Sequence, residues 1–149
     1  MRVITFGTFD LFHVGHLRLL QRAKELGTWL VVGVSSDELN YEKKGKYPAA
    51  PIEHRMEIIR SIRYVDEVFV EESLEEKRRY IIEYRADVLV MGDDWSGQFD
   101  HVSDLCRVVY LPRTPGISTT EIKDQIRHAQ SCEYSLQEAV ASFPGTSSS

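Results

Sequence analysis

The sequence predicts an α/β fold in which a doubly wound, parallel sheet of five strands carries helices on both faces. Short β-rich apolar runs alternate along the chain with segments of helical periodicity, and this alternation is typical of parallel strands joined by right-handed crossovers. The run Trp29–Val34 is apolar throughout, as expected for a strand that is buried on both faces. The 149 residues suffice for one domain with a sizeable core.

Five β-rich runs are the predicted strands. Each is short and apolar, and each is followed by turn-forming or polar residues. In chain order they are Arg2–Phe6, Trp29–Val34, Val65–Val70, Val88–Met91 and Val108–Leu111. Strands in this arrangement, separated by helices, predict a Rossmann-like sheet, whose ligands bind beyond the carboxyl ends of the strands near the point where the strand order reverses.

Four segments have apolar residues at helical spacing. They are the segment from Val14 to about Gly27, then Ile52–Ile62, Leu74–Tyr84 and Ser118–His128. The stretch from Asp37 to Pro51 is rich in charged residues and predicts a loop. We find no internal repeat, and we interpret residues 1–129 as one domain. Residues 130–149 end in Pro, Gly, Thr and Ser, which predicts a flexible tail.

The composition excludes several classes of protein. A formal net charge of −5 disfavours nonspecific nucleic-acid binding, because that binding depends on neutralising phosphates. No apolar run approaches the ~20 residues that a membrane span requires. Cys106 and Cys132 lack the spacing of metal ligands, so we expect two free thiols and a cytoplasmic protein.

The first candidate site joins the first strand to the first helix. It reads Gly7-Thr8-Phe9-Asp10, followed by His13-Val14-Gly15-His16. A helix start offers unpaired N–H groups to an anion, and two histidines three residues apart share one helix face. Two imidazoles can donate hydrogen bonds to phosphate oxygens that gain charge in a transition state. The alternative is a pair of unrelated histidines, one that caps the helix and one that packs.

The second candidate site is the segment after the fifth strand. It contains Arg113, Thr114, Pro115, Gly116, Ile117, Ser118, Thr119, Thr120 and then Glu121. A cation, a turn and three hydroxyl groups at a helix start predict phosphate binding. The alternative is helix capping, with Ser118 or Thr119 as the N-cap and Glu121 completing a capping box.

Taken together, these motifs resemble those of the cytidylyltransferases among the H-x-G-H nucleotidyltransferases. The intervening runs Met91–Trp95, Arg63–Val68 and Glu53–Arg55 extend the resemblance, in particular to the members that act on glycerol 3-phosphate, from residue 2 to about residue 127. The resemblance implies transfer of a cytidylyl group from CTP to glycerol 3-phosphate, with release of pyrophosphate. It also implies Mg²⁺ with the nucleotide, a homodimer with Arg63–Val68 near its interface, and a product used for teichoic-acid-type polymers.

The resemblance also implies a role for each site residue. His13, His16 and Arg113 would be catalytic. The nucleotide would be held by Thr8, Phe9, Asp10, His13, Val14, Gly15, His16, Lys46, Asp94, Arg113, Thr114, Pro115, Gly116, Ile117, Ser118, Thr119 and Thr120. The acceptor would be bound by Lys43 and Lys77, with Arg55, Arg63 and Asp66 at or near the site. No dedicated set of metal ligands is visible.

Some alternatives remain open at this point. Lys44 could take the place assigned to Lys43, and the whole lysine-rich loop could be a solvated surface. Lys77, Arg78 and Arg79 are predicted on a helix surface, where at least two of them would be solvated. The acceptor could instead be another phosphate ester such as phosphoethanolamine, the donor could be ATP, or the protein could be a noncatalytic nucleotide-binding module.

Overall fold

Five parallel strands form one sheet in the order β3-β2-β1-β4-β5 in a computed structural model that describes the backbone of residues 1–141 and the side chains of residues 1–130. The strands are β1 (Arg2–Gly7), β2 (Trp29–Ser35), β3 (Glu67–Glu71), β4 (Val88–Gly92) and β5 (Arg107–Leu111). All four pairings are parallel. The predicted α/β class, strand number and strand direction are confirmed.

Each strand is followed by one or two helices, except β4, which is followed by two short 3₁₀ turns. The helices are α1 (Val14–Glu25), α2 (Asp37–Lys44), α3 (Ile52–Arg60), α4 (Lys77–Glu83) and α5 (Thr119–Ala141), with the 3₁₀ turns at Asp93–Trp95 and Asp100–Val102. None of the helices in the described part of the chain is both long and apolar enough to cross a bilayer.

Two apolar clusters cover the two faces of the sheet. On one face, Val3 of β1 and Val32 of β2 pack with Leu20 of α1 and Ile59 of α3. On the other face, an adjacent residue of each strand, Ile4 in β1 and Val31 in β2, packs with Tyr80 and Ile81 of α4. Since successive strand residues point to opposite faces, a strand with helices on both sides must be apolar at every position. This is the reason for the continuous apolar runs of the sequence.

Helix α2 corrects the prediction that Asp37–Pro51 is a loop throughout. Its signals are present in the sequence: Ser36 is the N-cap and accepts from the backbone N–H of Leu39. Two acidic residues lie in its first turn and two lysines in its last, which suits the helix dipole. Gly45 ends it in the left-handed conformation, at φ 72°, where glycine is favoured. The high density of charge had concealed these capping signals.

Helix α5 differs from the prediction in length, since it continues past His128 to Ala141. By compactness the chain divides at Gly116, and α5 belongs to the second unit, which begins at Ile117. The predicted domain boundary after residue 129 and the predicted flexibility of the tail stay predictions, and residues 142–149 lie outside the described residues. Cys106 is a buried free thiol, as predicted, whereas the side chain of Cys132 lies outside the described part.

Candidate functional site

The predicted site segments follow the carboxyl ends of β1, β4 and β5, so they begin at the same end of the parallel sheet. In the strand register Thr5 of β1 pairs with Val90 of β4, and each of these two strands ends two residues later, at Gly7 and Gly92. The loop after β1 and the turn after β4 therefore start side by side, at the position where the strand order reverses. This is where parallel sheets of this type bind their ligands.

His13 and His16 form a stacked pair at the start of α1. Their ring centroids are 3.8 Å apart, with the ring planes 21° from parallel. His13 is the N-cap, and its Nδ1 accepts from the backbone N–H of Gly15 at 3.0 Å. The Nδ1 of His16 accepts in return from the backbone N–H of His13 at 3.2 Å. The two histidines therefore perform together the exchange that a Ser and a Glu make in an ordinary capping box.

This exchange determines which ring nitrogens carry protons. A backbone N–H can only donate, so Nδ1 of each histidine is unprotonated, and each ring carries its proton on Nε2. Burial and, to a lesser extent, the neighbouring His13 together lower the pKa of His16 from 6.5 to about 3, so His16 is neutral at physiological pH. The pair thus keeps two Nε2–H donors while its Nδ1 atoms cap the helix.

Phe9 supports this pair from the core. Its backbone is in the left-handed region, at φ 52°, and its side chain is only 5% exposed. The ring lies 5.5 Å from that of His16, nearly perpendicular to it. A Cβ on Gly7 would come within 2.9 Å of the Phe9 ring, so glycine is needed there. The structure therefore packs Phe9 against His16, and its role in lining the nucleotide site stays a prediction.

Thr8 and Asp10 anchor the segment that contains Lys46. Thr8 Oγ1 donates to Asn40 Oδ1 at 2.8 Å, and Asn40 Nδ2 donates to the backbone oxygen of Lys46 at 3.2 Å. The buried carboxylate of Asp10 accepts from the backbone N–H groups of Ala49 and Ala50, at 2.7 and 3.0 Å. These bonds hold the lysine-rich segment against the loop that leads to the histidines.

Arg55 lies under the site, with no exposed side-chain surface. Its Nη1 donates to the backbone oxygens of Thr8 and Ser35, and its Nη2 donates to Asp37 at 2.6 Å. Its Nε donates to Ala50. Arg55 therefore joins the ends of β1 and β2 to α2 and α3, and its donors are directed to the protein. The structure assigns it a positioning role, beside the acceptor-binding role that the resemblance implied.

Lys43 and Lys77, the two predicted acceptor-binding lysines, are linked through one buried carboxylate. Lys77 pairs with Glu71 Oε2, and Ser35 Oγ donates to Glu71 Oε1 at 3.2 Å. Lys43 Nζ in turn donates to Ser35 Oγ at 2.9 Å. Burial lowers the pKa of Lys43 from 10.5 to about 8, while Glu71 opposes this decrease.

The expectation that Lys77 lies on a helix surface is wrong, because this lysine is only 1% exposed. Its ammonium group is 3.8 Å from the centroid of the Phe6 ring and is compensated by Glu71. The other two basic residues of the run are exposed, as predicted: Arg78 pairs with Asp104, and Arg79 pairs with Glu76 and Glu83.

Neighbouring lysines of α2 face different partners. Lys43 reaches Ser35 at the end of β2, whereas the positive charge of Lys44 contributes to the low pKa of His16. Successive helical residues are ~100° apart, so one helix end presents cations in both directions. The sequence left open whether Lys43 or Lys44 takes the predicted role. Because each lysine has its own partner at the site, the two alternatives do not exclude each other. The side chain of Lys46 is exposed.

Arg113 follows β5 and pairs with Asp94, which lies in the 3₁₀ turn after β4. Both its Nε and its Nη2 donate to Asp94 Oδ2, the first at 2.8 Å. The two side chains are more than half exposed, at 64% and 55%. The predicted nucleotide-binding residues Arg113 and Asp94 are thus brought together in an accessible position.

The boundary between the two compact units falls within the sequence of the predicted anion-binding segment. Thr114, Pro115 and Gly116 close the first unit, and Gly116 takes a positive φ of 75°. In the second unit Ser118 Oγ accepts from the backbone N–H of Glu121 at 3.1 Å. Ser118 therefore caps α5, and this part of the capping interpretation is confirmed. The phosphate-binding roles of Ile117, Ser118, Thr119 and Thr120 stay predictions.

Arg63 and Asp66 lie near the amino ends of the strands, whereas the histidines follow the carboxyl end of β1. Asp66 immediately precedes β3 and accepts from the backbone N–H of Leu30, near the start of β2, at 2.8 Å. Its other partner is Lys24 Nζ, at 2.5 Å. The exposed Arg63 donates to Tyr64 OH. Within one chain these two residues are therefore not brought to the site, because α3 returns the chain to the amino ends of the strands.

Sequence reasoning missed three buried polar residues of the site, namely Ser35, Asn40 and Glu71. Each is at most 2% exposed. A signal existed for Glu71, since it is a charged residue at the end of an apolar strand, and for Ser35 in the corresponding position of β2. Asn40 carried no such signal, because its role depends on the contacts of α2.

Chemically, this edge of the sheet offers neutral N–H donors at a helix start with cations on either side of them. Lys43 and Lys44 lie on α2, and Arg113 follows β5. Donors and cations in this arrangement suit a ligand with several phosphate groups. In the described part of the chain no three His, Cys, Asp or Glu side chains group as metal ligands.

Comparison with known proteins gives a consistent result. The family described as Cytidylyltransferase-like matches residues 4–125. Glycerol-3-phosphate cytidylyltransferase of Bacillus subtilis is 57% identical over 125 residues, which are 84% of this chain and 96% of that protein. The protein of the same name from Staphylococcus aureus is 48% identical over 84% of this chain and 94% of its own length.

Among solved structures, the lipopolysaccharide core biosynthesis protein of Thermoplasma volcanium is similar in fold. It has a TM-score of 0.66 and 26% sequence identity, and the match covers 76% of this chain and 98% of that one.

Proposed function

We propose, since the chain belongs to the cytidylyltransferase-like family, that it transfers a cytidylyl group from CTP to glycerol 3-phosphate. The products are CDP-glycerol and pyrophosphate. The observation that carries this proposal is the stacked His13–His16 pair, with Nε2–H donors at a helix start. The names of the relatives that cover most of the chain support the choice of donor and acceptor.

The reaction is a direct in-line displacement at the α-phosphorus of CTP. An oxygen of the acceptor phosphate forms the new P–O bond, and the bond from the α-phosphorus to the bridging oxygen breaks, so that pyrophosphate leaves with the electron pair. The attacking phosphate is already ionised, and no general base is needed. Catalysis then consists of positioning and of stabilising the charge that develops on the phosphate oxygens.

The residues divide into a donor side and an acceptor side. His13 and His16 donate from Nε2 to the phosphates of CTP, and Arg113 holds the β- and γ-phosphates with Thr114–Thr120. The nucleotide site is completed by Lys46, Asp94 and Thr8, and by Val14 and Gly15 in the first turn of α1. Lys43 and Lys77 serve the acceptor phosphate.

Mg²⁺ is proposed to accompany CTP. Mg²⁺ keeps several waters and is commonly bound by one or two carboxylates together with substrate phosphates, so a complete protein cage is not required. Asp10, in the loop before the histidines, is a buried carboxylate that accepts from two backbone N–H groups. Bound with the nucleotide, the ion would neutralise charge on its phosphates, while the histidines and Arg113 orient them.

We also propose a homodimer and a cytoplasmic location. The exposed Arg63 and the segment that leads to β3 are the proposed interface, and light scattering of the purified protein would measure the mass. The location follows from the proposed donor, since CTP is a cytoplasmic metabolite, and cell fractionation would check it.

The experiment that tests the proposal is a pyrophosphate-release assay with several substrate pairs. We expect release with CTP and glycerol 3-phosphate, and little with ATP as donor or phosphoethanolamine as acceptor. Preference for another pair would redirect the assignment to a sister enzyme. Nucleotide binding without release for any pair would indicate a noncatalytic module.

A further inference from the structure

Glu71 is a buried carboxylate that the proposed reaction does not yet use. It is the last residue of β3, at the same sheet edge as the histidines, and it is 1% exposed. A buried carboxylate is costly unless it is paired and hydrogen-bonded. Both of its oxygens have a partner, and both partners lead to the lysines of the acceptor side.

The direction of each hydrogen bond in this cluster is determined by the groups themselves. The Ser35 hydroxyl has one proton, which it donates to Glu71 Oε1, so its oxygen accepts from Lys43 Nζ. Lys77 donates to the other oxygen of Glu71. One carboxylate therefore anchors two ammonium groups, one directly and one through a hydroxyl.

The cluster has an excess of positive charge. Two ammonium groups and one carboxylate leave one net positive charge at the end of β2 and β3. Lys77 is enclosed between Glu71 and the rings of Phe6 and Phe99, whereas Lys43 is partly exposed. Lys43 is thus the cation of this pair that an entering anion can reach.

We propose that Glu71 is a positioning residue of the acceptor site, which holds Lys43 and Lys77 on a single carboxylate and so creates a pocket for the phosphate of a phosphate monoester. This inference rests on the proposed function. Lys77 then acts through Glu71 and Ser35, and Lys43 makes the contact with the phosphate. Without Glu71 the two ammonium groups would repel each other in a partly dry environment.

The charges around Lys43 give the pocket a pH dependence. Glu71 favours its protonated form, while burial and the positive charges of Lys77, Lys44 and Arg55 oppose it. The resulting pKa of about 8 means that removal of Glu71 moves the loss of the Lys43 charge to a lower pH. This titration therefore reports on whether Glu71 stabilises the charge of Lys43, and the KM for the acceptor reports on whether that charge binds the phosphate.

The test is Glu71→Gln, with the exposed neighbour Glu72→Gln as the matched control. For Glu71→Gln we expect the KM for glycerol 3-phosphate to rise about tenfold or more, which is the loss of one favourable contact. The KM for CTP should stay within about twofold, a difference worth less than 0.5 kcal/mol. The decrease of kcat/KM for the acceptor at alkaline pH should begin at a lower pH than in the wild type. Glu72→Gln should resemble the wild type in all three.

If Glu71→Gln does not fold, a second variant tests the positioning role of Glu71. Ser35→Ala leaves the Glu71–Lys77 pair intact and removes only the link to Lys43. We expect it to raise the KM for the acceptor several-fold and to lower the pKa of Lys43. An unchanged acceptor KM in whichever variant folds would overturn the proposal, and so would an unchanged Lys43 titration.

The Lys43 titration also separates this inference from the proposed function. Reductive methylation with ¹³C-formaldehyde followed by NMR measures the pKa of Lys43 without any substrate, in wild type and variants. If the wild type does not convert CTP and glycerol 3-phosphate, the proposed function fails. The role of Glu71 in holding the lysine pair is then judged on the titration alone, where equal Lys43 pKa values in wild type and variants would refute it.

Discussion

At the scale of single residues, the H-x-G-H motif shows how one side chain can serve the fold and the chemistry together. The sequence offered two interpretations of His13 and His16, as caps or as ligands of phosphate. The Nδ1 atoms make the capping bonds, and the same bonds leave the protons on Nε2. The capping interpretation is therefore correct as structure, and it prepares the donors that the proposed reaction needs.

We expect His16→Ala to fold and to lose about 10²–10³ in turnover. The reason is that its Nε2–H is proposed to bind more strongly in the transition state than in the ground state. Steady-state kinetics with CTP and glycerol 3-phosphate measures the loss, and a cooperative melting curve verifies folding. His54→Ala, on an exposed face of α3, is the control and should keep its activity. Near-normal turnover of folded His16→Ala would remove it from the mechanism.

The low pKa of His16 predicts a loss of stability in acid. Between its ordinary value of 6.5 and the folded value of about 3, the unfolded chain binds a proton that the folded protein excludes. The free energy of unfolding should therefore decrease as the pH falls below 6.5, by about 1.4 kcal/mol per pH unit from this group, with no contribution above 6.5. Urea denaturation of His16→Gln should show a shallower decrease between pH 6 and 4. Equal slopes would contradict the shift.

Arg113→Ala should weaken CTP binding more than CMP binding. The guanidinium is proposed to contact the β- and γ-phosphates, which CMP lacks, and a hydrogen bond to a charged group contributes about 1.5–3 kcal/mol. Calorimetric titration with both nucleotides gives the two affinities. Arg107→Ala, exposed at the amino end of β5, should change neither. Similar losses for CTP and CMP would place Arg113 away from the terminal phosphates.

At the scale of elements, α2 and α3 depend on the buried Arg55. This residue joins the ends of two strands to both helices, through three backbone oxygens and Asp37. Through Asp37 this network fixes the start of α2, the helix that ends with Lys43 and Lys44. An arginine that the sequence connects with substrate therefore reaches the site through the elements that it holds.

Arg55→Met should lower the free energy of unfolding by about 3–5 kcal/mol, because it leaves Asp37 without its buried partner. Chemical denaturation followed by circular dichroism measures this change. Arg60→Met, on the exposed face of the same helix, should stay within about 0.5 kcal/mol of the wild type. If Arg55→Met kept its stability and raised only the KM for the acceptor, Arg55 would be a direct ligand instead.

At the scale of the whole molecule, the five-stranded sheet forms the framework of the first compact unit. All five strands and both apolar clusters lie before Gly116, in the first compact unit. The candidate histidines, lysines and Arg113 are within this unit too. Helix α5 extends far beyond the end that its sequence predicts.

Deletion of residues 131–149 should leave activity and melting temperature nearly unchanged. The shortened chain keeps the complete sheet and the start of α5, from Thr119 to Gln130, together with its Ser118 cap. Parallel assays of the two chains, with melting curves, are the measurement. A decrease of more than about 4 °C, which corresponds to roughly 1 kcal/mol in a domain of this size, would show that the deleted residues stabilise the protein.

The sequence by itself determined the sheet, its parallel direction and the edge that carries the site. These follow from apolar periodicity and from motifs at strand ends, which are local along the chain. It also determined the family, because the two main motifs occur in order and in a single chain.

Only the tertiary structure decided which charges meet. Glu71 and Lys77 are close in sequence, but Ser35 and Lys43 join them from another strand and another helix. Lys77 was expected on a surface and is buried, and Asp66 was expected near the site and lies near the amino ends of the strands. The physical reason is that burial and ion pairing depend on neighbours from distant segments, and periodicity reports on one segment at a time.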